Sequence, residues 1–206
     1  MAKARLKIIC VSSSSKKAGK SSLASYLVRE LGADFGLKVS SGGTHPTPET
    51  IITDPAIIEK KGTDTGSLVE AGARTVVWVN AEKSRLSEEL ERALLLFGGG
   101  GLLVAEGNSA LEHLDPDLSV FLMAVPFDEF KSSAESALAR SDLVLVDLTG
   151  PLSKYGRAGL ASELEALSQG AEVLFYEDER DRELALREAA SMARTRLGNS
   201  RFMPPL

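Results

Sequence analysis

The sequence predicts an α/β fold: a three-layer α/β/α sandwich around a mostly parallel central sheet. Two observations predict it. Short runs rich in Val, Leu and Ile, without polar alternation, recur along the chain at 6–11, 37–41, 75–80, 101–106, 119–125, 142–147 and 172–176. Strands buried on both faces of a parallel sheet read this way. Amphipathic stretches at 21–32, 65–72, 83–97, 130–140, 156–170 and 180–197 alternate with them, and several run into a glycine of the kind that closes helices: Gly32, Gly72, Gly98, Gly170 and Gly198. Alternating strands and helices imply right-handed crossovers.

The first strand, Leu6-Lys7-Ile8-Ile9-Cys10-Val11, leads into Ser12-Ser13-Ser14-Ser15-Lys16-Lys17-Ala18-Gly19-Lys20-Ser21-Ser22 and then into a helical pattern from Leu23 to Leu31. Strand, loop ending Gly-Lys-Ser, and helix are the setting of a phosphate-binding loop, and with it of the P-loop NTPase fold. A polyphosphate needs donors aimed at its oxygens and a cation near its terminal phosphates. Backbone amides over Ser14, Ser15, Lys16, Lys17, Ala18, Gly19, Lys20, Ser21 and Ser22 can form an anion-holding nest at a helix start. Lys20 would reach the β- and γ-phosphates, and the Ser21 hydroxyl would coordinate Mg²⁺. Where the usual pattern opens with glycine, this chain has Ser14. Lys16 and Lys17 either add positive potential over the phosphates or are solvated loop lysines. The alternative for the whole stretch is a serine-rich turn ahead of an ordinary helix.

Composition sets the bounds. With 206 residues, 43% hydrophobic and 26% charged, the chain suits one globular domain over 1–198, followed by a flexible tail at 199–206 that carries two of its prolines. The net charge of −5 and the lack of a long basic run argue against a nucleic-acid partner. No apolar run approaches the roughly 18 residues that cross a bilayer, and the basic N-terminus does not continue as a signal peptide. A single cysteine, Cys10, excludes a disulfide framework and reads as a small core residue. A cytoplasmic, reducing location is the expectation, and a homodimer is left open.

The least regular segment is 42–62, with three of the eight prolines, Pro46, Pro48 and Pro55. It leaves the second strand near the face where open α/β sheets bind ligands, and a loop that long is expected to be functional or mobile.

A second motif narrows the family. Gly62-Thr63-Asp64-Thr65-Gly66-Ser67-Leu68-Val69-Glu70-Ala71-Gly72-Ala73 runs into the strand Val76-Val77-Trp78-Val79. Gly36-Leu37-Lys38-Val39 is followed by His45, and Leu102-Leu103-Val104-Ala105 ends in Glu106-Gly107. In order and approximate spacing, over residues 6–147, these segments resemble the molybdopterin-guanine dinucleotide biosynthesis protein B family. Its wider group of P-loop NTPases includes dethiobiotin synthetase and the metallochaperone GTPases for nickel enzymes. The resemblance implies the P-loop fold, binding of Mg²⁺ with ATP or GTP, slow hydrolysis, and an accessory role in molybdenum cofactor biosynthesis. It also implies a role for Asp64 facing the γ-phosphate or a second substrate. The chain departs from the family in two places: the Lys-His-Asp-His-type cluster is reduced to Gly42-Gly43-Thr44-His45, and the basic residue after the Asp-Ser/Thr pair is missing. The guanine-reading Asn-Lys-x-Asp of the metallochaperone branch has no counterpart at Leu145-Val146-Asp147-Leu148-Thr149-Gly150, and Ser15 stands where a variant of the wider group carries an extra loop lysine. Adenine versus guanine therefore stays open.

The remaining candidates each have two readings. Glu106 ends an apolar strand. It either supports Mg²⁺ or the attacking water beside the loop, which requires a central strand, or faces solvent. Asp64 alternatively caps the helix it precedes, and Asp54 sits in an Asp-Pro turn. His45 is more often structural or solvated than a ligand in such a setting, and His113 reads as a surface residue. Asp147 either bonds the edge of the nucleotide base or ends its strand. Tyr155 or Arg157 either stacks on the base or belongs to a Gly/Pro turn.

The expected function is a Mg²⁺-dependent triphosphate-binding protein with slow hydrolysis, with Lys20, Glu106 and Asp64 as its catalytic residues. It would be an accessory factor in cofactor assembly with a protein partner or a small-molecule second substrate. A small-molecule kinase or dethiobiotin synthetase-like ligase, with its second pocket near Asp64, His45 and Lys38, is the first alternative. A non-catalytic nucleotide-dependent switch is the second.

Overall fold

The computed structural model describes residues 5–16, 18–42, 49–124, 132–150, 160, 164 and 167–198. Its strands are β1 (Leu6–Ser13), β2 (Phe35–Ser41), β3 (Ile51–Ile52), β4 (Thr75–Ala81), β5 (Gly101–Glu106), β6 (Leu118–Ala124), β7 (Leu143–Asp147) and β8 (Glu172–Tyr176). Its helices are α1 (Lys20–Leu31), α2 (Pro55–Ile58), α3 (Asp64–Glu70), α4 (Leu86–Leu95), α5 (Asn108–His113), α6 (Ser132–Ala139) and α7 (Glu179–Leu197). The strands form one sheet in the order β3-β4-β2-β5-β1-β6-β7-β8, parallel except for the antiparallel edge strand β3.

All seven strands expected from sequence are present, with ends shifted by up to two residues. The expected helix over 83–97 begins as a 3₁₀ turn, Lys83–Arg85, and α4 stops at Leu95. Within the segment 42–62, the described residues 49–62 form β3 and α2. Asp54 caps α2, accepting from the Ala56 amide at 2.9 Å, so it is a structural residue rather than a site residue. The expected helix over 156–170 falls largely outside the described residues.

Alternate residues of the strands face opposite layers. Ile9, Val11, Leu102 and Val104 pack with Leu23 and Leu27 of α1, Leu68 of α3 and Ala189 of α7. Cys10, Leu103 and Ala105 pack with Leu86 and Leu90 of α4, Leu111 of α5 and Leu138 of α6. Burial pushes the Cys10 thiol up to about 12, which leaves it a neutral core side chain.

Three aspartates hold the ends at which the strands begin. Each sits one residue before a strand and accepts from a neighbouring strand's amide: Asp34 from Leu102 at 3.1 Å, Asp117 from Ile8 at 2.9 Å and Asp142 from Ser119 at 2.8 Å. Asp34 also pairs with Arg74, and Asp117 with Arg5 and Lys7. These bonds fix the register between β2 and β5, β1 and β6, and β6 and β7 at one end of the sheet. The opposite end, where the parallel strands finish, carries the candidate site.

Candidate functional site

The site is built where β1, β2 and β5 end. Register pairs Val11 with Glu106 across β1 and β5, and Lys38 with Glu106 across β2 and β5. Glu106 thus lies on a strand flanked on both sides, in the row that faces α1 and α3, and it is 1% exposed. The solvent-facing alternative for Glu106 is excluded.

The loop after β1 is pinned before it turns. Asn108 grips Ser13 twice, accepting from its amide and donating to its carbonyl, each at 2.9 Å. Ser14 is buried, its amide donates to the Leu122 carbonyl at 2.9 Å, and its hydroxyl accepts from the Ala124 amide at 3.3 Å. Its φ is not positive, so no glycine is needed there. Ser15 and Lys16 are exposed, Ala18 is buried, and Ser22 is exposed. Gly19 precedes α1 with φ 94°, a backbone turn that favours glycine.

Lys20 and Ser21, the first residues of α1, bring the two ends of this chemistry together. The Lys20 ammonium donates to the Ser13 hydroxyl at 2.7 Å and the Ser15 carbonyl at 3.4 Å. Burial pulls its pKa below the ordinary lysine value. The nearby charge of Glu106 opposes that fall and the charge of Lys38 adds to it. Its direct partners among the described residues are neutral oxygens, so an anion entering the loop meets a partly desolvated cation.

Ser21 donates to Asp64 Oδ1 at 2.6 Å, and its oxygen lies 3.2 Å from Glu106 Oε1. Asp64 does not cap its helix. Thr63 does, its hydroxyl accepting from the Gly66 amide, and the Asp64 carboxylate turns to Ser21 and Lys38 instead. The capping reading of Asp64 is therefore corrected. Lys38 Nζ lies 2.5 Å from Asp64 Oδ2 and 2.8 Å from Glu106 Oε1. Burial works against the Lys38 charge, but Glu106 and Asp64 outweigh it and raise its pKa. Burial likewise pushes Asp64 up, but the hydrogen bonds from Lys38 and Ser21 outweigh it and hold the carboxyl below its usual range.

These oxygens suit a small hard cation. Octahedral Mg²⁺ at about 2.0–2.1 Å places neighbouring ligand oxygens about 2.9 Å apart, and the Ser21 contacts of 2.6 and 3.2 Å bracket that spacing. Glu106 Oε2 is buried with no hydrogen-bond partner among the described residues. No cluster of three or more His, Cys, Asp or Glu side chains able to hold a metal occurs among the described residues. A cation here would complete its shell from a ligand's oxygens and water.

Beside the loop a cavity of ≈ 160 Å³ opens between Gly19 and α7, with Asp147 and Thr149 at the end of β7, Tyr176 at the end of β8, and Arg182 on its walls. Asp147 accepts from the Thr149 amide at 2.9 Å and its hydroxyl at 2.6 Å, and from the Tyr176 phenol. Burial, then the charge of Asp147, raises the Tyr176 phenol's pKa.

No family model matches the sequence, and no curated protein matches it. Solved structures do match its fold. Hydrogenase maturation factor HypB from Archaeoglobus fulgidus aligns at 12% identity over 94% of this chain and 91% of that one, with a TM-score of 0.60. HypB from Helicobacter pylori, in complex with nickel, aligns at 12% identity over 98% and 92%, also with a TM-score of 0.60. The fold is that of the P-loop NTPases. At 12% identity the likeness is one of fold.

Lys17, His45, Tyr155 and Arg157 lie outside the described residues. His113 ends α5 on the surface, as expected. Sequence reasoning missed the bridging of Asp64 and Glu106 by Lys38, the Asn108 clamp, and the part of Tyr176 and Arg182 in the cavity wall. Asn108 had a readable signal, since it directly follows Glu106-Gly107.

Proposed function

We propose that this chain binds a nucleoside triphosphate with Mg²⁺, hydrolyses it slowly, and serves as an accessory factor in cofactor assembly. One observation carries the reading: the hydroxyl of Ser21 meets the carboxylates of Asp64 and Glu106 at the mouth of a loop whose lysine is partly desolvated. In this reading Gly19, Lys20 and the amides that open α1 hold the phosphates. Lys20 neutralises charge on the terminal phosphates. Ser21, Asp64 and Glu106 would hold the Mg²⁺, which would supply charge neutralisation on the triphosphate. Glu106, buried at the inner end of the site, also orients the attacking water. The protein's contribution is position and charge, since phosphoryl transfer asks little covalent chemistry of it. The cavity beside Gly19 accommodates the base, with Asp147 and Thr149 at its edge. Molybdenum cofactor assembly is the pathway to which the sequence resemblance at 62–73 and 102–107 points.

The test is binding of ATP and GTP with and without Mg²⁺, followed by phosphate release. Mg²⁺-dependent affinity with slow turnover supports the reading, and no affinity for either nucleotide overturns it.

The Lys38 ammonium beside both carboxylates also favours a second reading, an ATP-dependent kinase or ligase acting on a small acceptor. A row beyond it, Trp78 donates to Ser40 at 2.8 Å and Ser40 to Asn80 at 3.0 Å, a polar shelf on the same face of the sheet. ADP release that depends on an added acceptor would favour this reading over the first.

A further inference from the structure

Lys38 stands where an added cation would be most strongly drawn. Its ammonium touches Asp64 Oδ2 and shares Glu106 Oε1 with the Ser21 hydroxyl. The cluster's four charged groups, Lys20, Lys38, Asp64 and Glu106, sum to zero, so by itself the cluster offers no surplus negative charge to a divalent ion. A metal bound to Glu106 Oε1 at about 2.1 Å would lie within about 5 Å of the Lys38 ammonium, which sits 2.8 Å from the same oxygen. Like charges that close, on a side chain only 17% exposed, are weakly screened.

We propose that Lys38 is a built-in counter-ion that occupies the two metal-binding carboxylates in the nucleotide-free protein, so that the divalent ion enters only together with a triphosphate. This rests on the nucleotide- and metal-binding reading above. A free divalent ion must displace the tethered ammonium without compensation. A metal–triphosphate complex carries its own negative charge into the loop, where Lys20 and the released Lys38 balance it. Metal and nucleotide thereby become coupled ligands, each raising the affinity of the other by the same factor. A lysine on the second strand, paired by register with the acid on its neighbour, is what makes the coupling.

The experiment is a Mn²⁺ titration of the full chain, followed by the electron paramagnetic resonance signal of free Mn²⁺, with and without a non-hydrolysable triphosphate. The wild type should bind Mn²⁺ alone at least tenfold more weakly than with the nucleotide. Lys38→Met leaves the site one positive charge short, and should bind Mn²⁺ alone at least tenfold more tightly than the wild type. The ratio of its affinities with and without nucleotide should fall by the same factor. Lys38→Arg, which keeps the charge, should retain wild-type coupling, and Lys38→Gln serves if the methionine variant does not fold. Wild-type Mn²⁺ affinity that is equal with and without bound nucleotide overturns the proposal, as does a Lys38→Met or Lys38→Gln protein no tighter for Mn²⁺ than the wild type. The metal-alone comparison does not depend on nucleotide binding. A wild type that takes up no triphosphate with Mn²⁺ overturns the proposed function, while the variant's affinity for Mn²⁺ alone still decides the place of Lys38.

Discussion

The hydroxyl of Ser21 and the carboxylate of Asp64, 43 residues apart, meet at 2.6 Å. Ser21 lies in the first turn of α1 and Asp64 opens α3, so the bond ties the loop after β1 to the segment that follows α2. Its direction matters. Ser21 donates its proton to Asp64, which leaves its oxygen lone pairs free to accept or to coordinate.

Lys20→Ala should weaken triphosphate binding about 100-fold, the size of a lost charge-assisted hydrogen bond at a partly desolvated site. Calorimetric titration against ATP and GTP checks it, and affinity equal to the wild type removes the loop from the site. Because burial lowers the Lys20 pKa, a pyrophosphate anion should also raise the melting temperature of the wild type and not of the variant.

Glu106→Gln should lower phosphate release about 100-fold and weaken Mg²⁺-dependent nucleotide binding, while leaving nucleotide affinity measured without Mg²⁺ within a few-fold, since the change falls on metal and water placement and not on the phosphate grip. Single-turnover phosphate release alongside binding separates the two quantities. Loss of the Mg²⁺-free affinity as well would place Glu106 in the phosphate grip instead.

Asp64 should give the chain an acid-sensitive stability. Its folded pKa lies below the ordinary 3.8, so its contribution is fully present above that value and disappears as pH falls through the lower folded one. Lys38 works in the opposite direction, its contribution intact below 10.5 and lost as pH rises through its raised folded value. Asp64→Asn should therefore flatten the acid limb of a urea-midpoint profile between about pH 5 and pH 2. An unchanged limb would show that the pair with Lys38 adds nothing to folding.

Asp117→Ala should cost about 2 kcal/mol in chemical denaturation, because it strands the Ile8 amide and removes a charged acceptor. The side chain is 7% exposed. Nucleotide affinity should be unchanged, since Asp117 lies at the far end of β1 from the loop. A variant as stable as the wild type would show that water replaces the carboxylate fully.

Much of the fold was readable because strands buried on both faces leave uninterrupted apolar runs, as at 101–106, where the expected and observed limits coincide. The elements missed were short. β3 has two residues, α2 four and α5 six, too few to show a period. Glycine-lysine-serine, Asp64 and Glu106 could be read locally, because each lies at the end or start of an element and carries unusual chemistry for that place. Lys38 was placed near a second pocket, but its bridging of Asp64 and Glu106 could not be read, since a lysine in a strand looks like an outward residue until register sets it beside Glu106. The same holds for Ser14, which departs from the loop's usual glycine but fastens the loop to Ala124. The three strand-opening aspartates were visible in principle as an acid directly before each of three apolar runs.

Those aspartates have a further consequence. They rivet one rim of the sheet through side-chain bonds that owe nothing to any ligand, while the candidate site stands on the other rim. The frame can therefore keep its alignment while residues at the working rim are exchanged. A lineage built on it is free to change what it handles without relearning how to fold.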